Sequence, residues 1–397
     1  MVECTECLYN SSHPFGLGFD KDGVCTGCIT HREKTTLDWD ARFQELEKLV
    51  QKLKKKNKNR YYDCVVPIRG TPEYFYVMDV VKNRLKMNPL AVSYNSQFNS
   101  EVGIMNLDRI REVFDVDILI YSTNEEIYKK LIRESLVRFS NMRWPYLAGE
   151  TTFPVQVAVE RNIPLVVWPY HQATEQVGMH SYTESPEMSR RYRAQFDLLG
   201  VEPEDLVSSE TLIRTKDIWD LKYPSDQDLM RTGLRGIYLS NYLPWDSRRY
   251  SEEMIKKYHA LGAKNSRTFD TYDRIDDRTY MTIHDVLKYY QHGYSRVTDN
   301  LCREIRFGRI SKKEAKKIEN YYLLQQPKEE IKAFLKWLGM QKQALNWYIN
   351  RLFSKYKNIP NKRRQSKNLI AYISTFLSSG NVVYSNKPYI VIGKGIK

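Results

Sequence analysis

Between residues 61 and 168, short apolar runs alternate with amphipathic stretches, and this alternation constrains the fold more than any other feature of the sequence. Apolar runs of this length predict strands, and apolar residues at helical spacing predict helices. The predicted strands are 63–68, 90–95, 116–121, 164–168 and, further on, 236–243. The predicted helices are about 73–86, 103–114, 124–139 and 151–161. The pattern predicts an α/β domain over residues 61–249, with a parallel sheet covered by helices on both faces.

The first predicted strand leads directly into a glycine turn and the start of a helix. The mostly apolar run 64–68 is followed by Gly70, and Pro72 stands where the helix should begin. A strand, a glycine turn and a helix N-terminus together can hold a phosphate against free backbone N–H groups. Ligands of such sheets lie at the carboxyl ends of the strands, near the switch in strand order. The loops at that edge begin at Arg69, Asn95, Ser122 and Pro169.

Four of the six cysteines form two C-x2-C pairs near the N-terminus, Cys4 with Cys7 and Cys25 with Cys28. This spacing is typical of tetrahedral thiolate ligation and predicts a zinc ribbon over residues 1–34. A site closed by four cysteines leaves no position for water, so we expect the zinc to be structural. A metal-free cluster of reduced cysteines is the alternative.

The remaining segments are less specific. Residues 35–60 predict a linker helix, residues 250–355 a mainly helical C-terminal region, and residues 356–397 a basic tail with short strands at 382–384 and 389–392. His171, Glu175, His180 and Tyr182 lie close together in sequence, but their spacing fits no strong metal-site pattern. We expect these four residues to line a cleft or the surface.

The formal net charge of +14 is concentrated in two basic runs without acids, at 52–60 and 362–397. Such runs are more often solvated than bound to nucleic acid, and these lack interleaved aromatic residues, so nucleic acid is not an expected partner. No apolar run reaches ~18 residues, which argues against a membrane span. The N-terminus has no apolar signal-peptide region, so we expect a cytoplasmic protein.

Several short motifs occur together in residues 4–353. Besides the four cysteines, they lie at 19–25, 37–40, 62–64, 88–90, 103–107, 236–239, 245–246, 284–285, 293–299 and 304–309. With these motifs the chain resembles the N-acetyl sugar amidotransferase family of bacterial lipopolysaccharide O-antigen and nonulosonic-acid biosynthesis. That family belongs to the PP-loop ATP pyrophosphatases, so the resemblance implies a HUP-like α/β core.

The resemblance also implies a reaction, in which the N-acetyl group of a sugar or sugar nucleotide becomes an acetamidino group. ATP would activate the amide oxygen as an adenylate. Ammonia from a separate glutaminase partner would then displace AMP. The loop backbone and Mg²⁺ would neutralise the departing pyrophosphate.

The loop at 69–74 departs from the family sequence Ser-Gly-Gly-Lys-Asp-Ser and reads Arg-Gly-Thr-Pro-Glu-Tyr. One glycine remains, and Pro72 replaces the lysine and lacks an N–H group. Glu73 can replace the family aspartate beside magnesium, and Arg69 can pair with a phosphate, so these two are the candidate catalytic residues. The candidate nucleotide-binding residues are Arg69, Gly70, Thr71, Glu73, Tyr74 and Asn95. The candidate substrate-binding residues are His171, Tyr294, Arg296 and Asp299.

A second departure follows the strand at 164–168, where Pro-Tyr-His replaces the family's Gly-Glu-Asn and removes a carboxylate. Three functions therefore stay open. The first is an ATP-dependent amidotransferase. The second, favoured by the changed loop, is a diverged member that binds a sugar nucleotide or acts as a partner subunit without ATP. The third is a PP-loop protein that modifies tRNA, and the motifs after residue 284 argue against it.

Overall fold

A computed structural model describes residues 2–56, 59–208 and 210–353 of the chain. The basic tail and its predicted strands at 382–384 and 389–392 lie outside the described residues. The described helices do not include one that is both long enough and apolar enough to cross a membrane.

Five parallel strands form one sheet in the described part of the chain, in the order β3-β2-β1-β4-β5. The strands are β1 (Cys64–Pro67), β2 (Pro89–Asn95), β3 (Asp117–Ser122), β4 (Leu165–Trp168) and β5 (Arg235–Tyr238). In the register, Val65 of β1 is paired with Leu90 on one side and with Val166 on the other. The strand order therefore reverses between β1 and β4, and the loops that follow these two strands diverge around a crevice.

Helices surround the sheet and make up most of the C-terminal region. The helices in the N-terminal half are α1 (Thr26–Glu33), α2 (Trp39–Lys56), α3 (Pro72–Met78), α4 (Glu101–Phe114), α5 (Glu125–Phe139) and α6 (Trp144–Glu160). They are followed by α7 (Arg190–Tyr192), α8 (Asp226–Thr232), α9 (Ser247–Tyr258), α10 (Arg278–His292), α11 (Arg296–Arg306), α12 (Lys312–Leu323), α13 (Lys328–Leu338) and α14 (Lys342–Phe353).

The strands β1, β2 and β4 are buried on both faces, whereas the edge strand β3 is partly exposed. Successive side chains of a strand point to opposite faces, so each strand contributes to two cores. Val65 and Val166 belong to the core shared with α5 and α6. Val66 and Val167 belong to the core shared with α3, α4 and α9. The predicted α/β fold, with a parallel sheet, helices on both faces and a mainly helical C-terminal region, is thus confirmed. The domain boundaries at 34, 60, 249 and 355 remain predictions.

Three predicted elements differ in extent from those observed. Helix α6 begins at Trp144, whereas the predicted helix began at residue 151. The helix is buried on almost every side, so its sequence has no amphipathic period that would mark the start. The helix predicted at 73–86 changes from α to π geometry at Asp79. The strand predicted at 236–243 ends at Tyr238, where a 3-10 turn takes over.

The C-terminal helices complete two cores. Phe334 and Leu338 of α13 pack into the same core as Tyr128 of α5. Helices α11 and α12 instead bury Leu301 and Ile318 against the cysteine ribbon. The helical region therefore bridges the sheet and the ribbon.

Candidate functional site

The four ribbon cysteines converge on one buried point. Their Sγ atoms all lie within 4.8 Å of one another, and those of Cys7 and Cys25 are 3.6 Å apart. A tetrahedral zinc ion with Zn–S bonds of about 2.3 Å holds its sulfurs roughly 3.8 Å apart, so the cluster has a suitable size. The Sγ atom of Cys4 accepts hydrogen bonds from the backbone N–H groups of Glu6, Cys7 and Cys25, with N···S distances of 3.3–3.4 Å. These hydrogen bonds favour the thiolate form. Cys28 completes a donor set that can hold a metal ion.

The ribbon packs tightly on the rest of the molecule. Arg306 of α11 donates an Nη1 hydrogen bond to the carbonyl oxygen of Gln176 at 2.8 Å. Gly27 of the ribbon faces the same carbonyl, and a Cβ there would lie 2.7 Å from it. The Tyr9 hydroxyl donates to the Asp299 carboxylate at 2.7 Å. The ribbon therefore forms part of the wall of the cleft described next.

A cleft lies where the loops after β1 and β4 meet the C-terminal helices. It consists of two adjoining cavities. The cavity beside the ribbon has a volume of about 170 Å³ and is called the outer cavity, and the cavity beside the 69–74 loop has a volume of about 90 Å³ and is called the inner cavity. Both cavities are lined by Leu147, Tyr170, Gln172, Asp197, Asp273 and Arg274. This is the crevice expected at a switch in strand order.

Most of the predicted site residues line this cleft. The inner cavity is lined by Arg69, Thr71, Glu73, Tyr74 and His171, and the outer cavity by Tyr294, Arg296 and Asp299. Gly70 and Asn95 line neither cavity. The Asn95 Oδ1 atom accepts hydrogen bonds from Gln97 and Asn99, and so holds the turn that follows β2.

Carboxylates surround the buried guanidinium group of Arg69. Its Nε lies 2.8 Å from Asp276, its Nη2 2.7 Å from Asp277 and its Nη1 3.2 Å from Glu150. Every nitrogen of the group thus has a carboxylate partner. In this arrangement Arg69 acts as an internal counterion, and each nitrogen that would contact a phosphate is already paired with a carboxylate.

Helix α4 covers the backbone of the 69–74 loop. A Cβ atom on Gly70 would lie 2.0 Å from the carbonyl oxygen of Gly103, and a Cβ atom on Gly103 would lie 2.6 Å from Cα of Asp276. Asn106 donates from Nδ2 to the carbonyl oxygens of Gly70 and Leu261, at 3.1 and 2.9 Å. The glycine and asparagine of the 103–107 motif therefore lock the loop against the segment that precedes α10.

The hydrogen-bond donors at the start of α3 are also partly used. The Thr71 N–H group donates to the carbonyl oxygen of Arg69 at 2.9 Å, and the Tyr74 N–H group to that of Thr71 at 3.1 Å. Pro72 has no N–H group. In this conformation the loop offers fewer free donors than a phosphate-binding loop requires.

Glu73 is held at the inner end of the cleft. Its Oε1 atom accepts hydrogen bonds from the Ser247 hydroxyl at 2.5 Å and from Nε1 of Trp245 at 3.1 Å. Burial outweighs these hydrogen bonds and raises the pKa of Glu73 from 4.5 to about 7. A carboxyl group that titrates near neutrality can exchange a proton with a ligand.

The predicted substrate-binding residues of the outer cavity are held by their neighbours. Arg296 lies 3.2 Å from the Asp273 carboxylate. Asp299 lies 2.5 Å from Nζ of Lys288, and the same ammonium group lies 4.4 Å from the ring centroid of Tyr294. These contacts fix the cavity wall around a partly aromatic surface.

The residues from His171 to Tyr182 do not converge on a metal site. Glu175 instead forms a buried ion pair with Lys34 at 2.6 Å and accepts a hydrogen bond from the Tyr182 hydroxyl at 2.5 Å. The His171 Nδ1 atom lies 3.1 Å from the Thr174 hydroxyl. Among the described residues, the ribbon cysteines alone form a metal-sized cluster of ligand residues.

Several carboxylates of the cleft do not appear among the residues predicted from sequence. Glu150, Asp197 and Asp273 line it, so the cleft contains carboxylates although the Pro-Tyr-His sequence after β4 has none. Glu150 falls just before the predicted helix at 151–161, which hid its position. The acid-rich stretch 270–277, with four aspartates in eight residues, was the signal that could have identified Asp273 and the partners of Arg69.

Comparison with known families supports the predicted relationship. Residues 252–373 match a family described as "LPS biosynthesis protein WbpG-like, C-terminal domain". Over this segment, the match agrees with the predicted resemblance to proteins of lipopolysaccharide biosynthesis. An uncharacterized protein of Methanocaldococcus jannaschii, MJ1599, is 21% identical over 137 residues, which are 34% of this chain. The match spans 47% of that relative, about half its length.

Two solved structures of synthetases show a weak likeness. The NH3-dependent NAD synthetase from Campylobacter jejuni, in complex with the nitrate ion, is 14% identical, with 49% of this chain and 92% of that chain covered and a TM-score of 0.28. The NMN synthetase from Francisella tularensis is 12% identical, with 52% and 93% covered and a TM-score of 0.27. These scores are too low to support an inference.

Proposed function

We propose that this chain, whose residues 252–373 match a WbpG-like domain of lipopolysaccharide biosynthesis, binds and modifies an N-acetylated sugar nucleotide in the cleft. The composition of the cleft carries this proposal. Arg274, Arg296 and Arg303 come from the WbpG-like segment, whereas Glu73 and Tyr170 come from the α/β core. A ligand in the cleft would therefore contact both parts of the chain.

The conformation of the 69–74 loop favours a family member that binds its sugar nucleotide without ATP. If a pyrophosphate bound to Arg69 of this loop, the ion pairs of Arg69 with Asp276, Asp277 and Glu150 would have to break. Asp276 and Asp277 would then remain in a buried site without the arginine that pairs with them, which is strongly unfavourable. The same ligand would also have to move α4 away from Gly70.

The complete amidotransferase reaction is the second candidate, and Glu73 favours it. With a pKa of about 7, this carboxyl group can take the proton that ammonia loses as it attacks an activated acetamido carbon. ATP and Mg²⁺ would be required for the activation, and a glutaminase partner would supply the ammonia. The loop around Arg69 would have to open for this reaction.

Calorimetric titration of the full chain separates the two candidates. We expect UDP-linked N-acetyl sugars to bind and millimolar Mg-ATP to give no heat. N-acetylglucosamine without a nucleotide serves as the control for the contribution of the phosphates. Binding of Mg-ATP, followed by AMP release with sugar nucleotide and ammonia, would establish the amidotransferase instead. If no UDP- or CMP-linked N-acetyl sugar binds, the sugar-nucleotide proposal is wrong.

A further inference from the structure

The outer cavity contains arginines whose hydrogen-bonding capacity is not used. Arg143 is only 6% exposed, yet its Nε and Nη2 atoms are buried without a hydrogen-bond partner. Its ion-pair contact with Glu150 is a long one, with 3.7 Å between Nη2 of Arg143 and the carboxylate. Buried N–H groups without an acceptor are costly, so such groups in a cavity wall favour an acceptor supplied by a ligand.

Arg274 is in the same situation on the other side of Glu150. Its Nη1 atom is buried without a hydrogen bond and lies 3.7 Å from the Glu150 carboxylate. Glu150 also contacts Arg69 at 3.2 Å, so one carboxylate faces three guanidinium groups. The Nε atom of Arg274 also lies 3.9 Å from the Asp273 carboxylate, but Arg296 shares that carboxylate at 3.2 Å. The positive charge of Arg143 and Arg274 is therefore only partly compensated.

Arg303 of α11 supplies a third cation. Its guanidinium group lies 6.0 Å from the ring centroid of Tyr170, and no ion pair joins it to a carboxylate of the described residues. The other cations of the outer cavity differ, since Arg296 and Lys288 have close carboxylate partners. A surplus of positive charge thus lies on the wall of the cavity.

The carboxyl groups nearby cancel only part of this surplus. Burial would raise the pKa of Asp273, but Arg296, Arg303 and Arg69 outweigh it and lower that pKa, so this carboxylate keeps its charge and is shared among several arginines. Burial raises the pKa of Asp197 to about 7, so a substantial fraction of this group is protonated at neutral pH. Burial also raises the pKa of Glu150, although Arg69 and Arg143 oppose the shift. The cavity is therefore suited to an anion.

We propose that Arg143, Arg274 and Arg303 form a phosphate subsite that holds the diphosphate of the ligand. The guanidinium fork matches pairs of phosphate oxygens and satisfies the buried N–H groups. The identity of the ligand as a sugar nucleotide rests on the function proposed above. In this chain, phosphate recognition has moved from the backbone of the 69–74 loop to side chains on the wall of the outer cavity.

The test is calorimetric titration of the full chain with UDP-N-acetylglucosamine, inorganic pyrophosphate and neutral N-acetylglucosamine. We expect Arg274→Gln and Arg303→Gln each to weaken binding of the first two ligands by about tenfold or more. Arg303→Lys should restore part of the affinity because it retains the charge. Binding to the unchanged chain should weaken as salt is added. Arg249→Gln, at an exposed arginine paired with Glu253 on α9, is the matched control and should bind like the unchanged chain.

The possible outcomes distinguish this inference from the proposed function. Sugar-nucleotide binding that both glutamine variants retain would overturn the phosphate subsite and leave the function standing. If the unchanged chain binds pyrophosphate but no sugar nucleotide, and the variants lose the pyrophosphate binding, the subsite is supported and the proposed function is wrong. If neither ligand binds to the unchanged chain, both are wrong. Thermal melting of each variant shows whether lost binding reflects lost folding, and Arg274→Gln carries the test if Arg303→Gln does not fold.

Discussion

Arg69 shows how strongly the role of a residue depends on its partners. Next to a glycine turn after the first strand, an arginine suggests a phosphate ligand. In the folded chain it instead pairs with Asp276, Asp277 and Glu150 in a buried cluster. Its contribution is therefore to stability and to the closed shape of the 69–74 loop.

We expect Arg69→Gln to lower the free energy of unfolding by about 3–5 kcal/mol, because it leaves buried carboxylates without a counterion. Urea denaturation measures this change. Arg111→Gln is the control, since Arg111 and its partner Asp108 are 54% and 62% exposed and such a pair contributes at most about 1 kcal/mol. A variant at Arg69 that keeps full stability but loses nucleotide affinity would show that Arg69 is a ligand residue after all.

Glu73 should give the stability of the protein a specific pH dependence. Its pKa rises from 4.5 to about 7 on folding, so the folded chain holds this proton more tightly than the unfolded chain. Stability is therefore greatest below the unfolded pKa and falls as the pH rises through about 7. The shift from 4.5 to about 7 corresponds to a loss of about 3 kcal/mol.

The Glu73→Gln variant isolates this contribution, because glutamine keeps an oxygen for Ser247 and Trp245 but cannot ionise. Between about pH 5 and about pH 8, we expect the variant to lose less stability than the unchanged chain in urea denaturation. Equal losses in the two proteins would mean that Glu73 titrates at its ordinary pKa.

At the scale of elements, α4 holds the 69–74 loop in its closed conformation. Gly103 allows the first turn of α4 to contact the backbone of both Gly70 and Asp276. Asn106 then joins the loop to Leu261. The motif at 103–107 therefore has a packing role that its position in the sequence does not reveal.

Gly103→Ala tests this packing. Alanine favours a helix over glycine by about 1 kcal/mol, but its Cβ atom would lie 2.6 Å from the backbone of Asp276. We expect the overlap to prevail and to cost about 1–3 kcal/mol net, measured by thermal or urea unfolding. Met105→Ala, at a residue of the same helix that is 48% exposed, should change stability little. An alanine variant at Gly103 that is as stable as the unchanged chain would contradict the tight contact.

The ribbon and the cleft are physically joined. The ribbon contributes Cys4, Tyr9 and Leu17 to a core that α11 and α12 complete. His13 of the ribbon lines the outer cavity. A metal ion held by the cysteines would therefore stabilise the wall of the cleft as well as the ribbon.

We expect purified protein to contain about one zinc per chain, bound by four thiolates. Cys25→Ser should lose the metal, melt at lower temperature and bind sugar nucleotide more weakly, because the cleft wall loosens. Elemental analysis, thermal melting and calorimetry measure these effects. Cys64→Ser is the control, since Cys64 is buried in β1 and belongs to the sheet core, so the variant should retain its zinc. A Cys25→Ser variant that folds normally and keeps its zinc would refute the four-ligand site.

The predictable part of the fold rests on local patterns. Apolar runs located β1 and β4 to within a residue or two, because a strand buried on both faces needs nearly continuous apolar residues. The two C-x2-C pairs identified a cysteine cluster because each ligand pair lies within one tight turn. Helix α6 was predicted too short because a helix buried on almost all sides carries no amphipathic signal.

Local patterns in the chain predict the parallel sheet, the cysteine cluster and the position of the 69–74 loop, since each depends on residues close together in the chain. What that loop can bind depends instead on tertiary contacts. Arg69 contacts Asp276, which lies 207 residues further along the chain, and Glu150, which belongs to a helix on the face of the sheet. Such long-range pairing and burial set which charges are neutralised and which remain available. For this reason Arg69 is occupied, whereas Arg143, Arg274 and Arg303 are left facing the cleft.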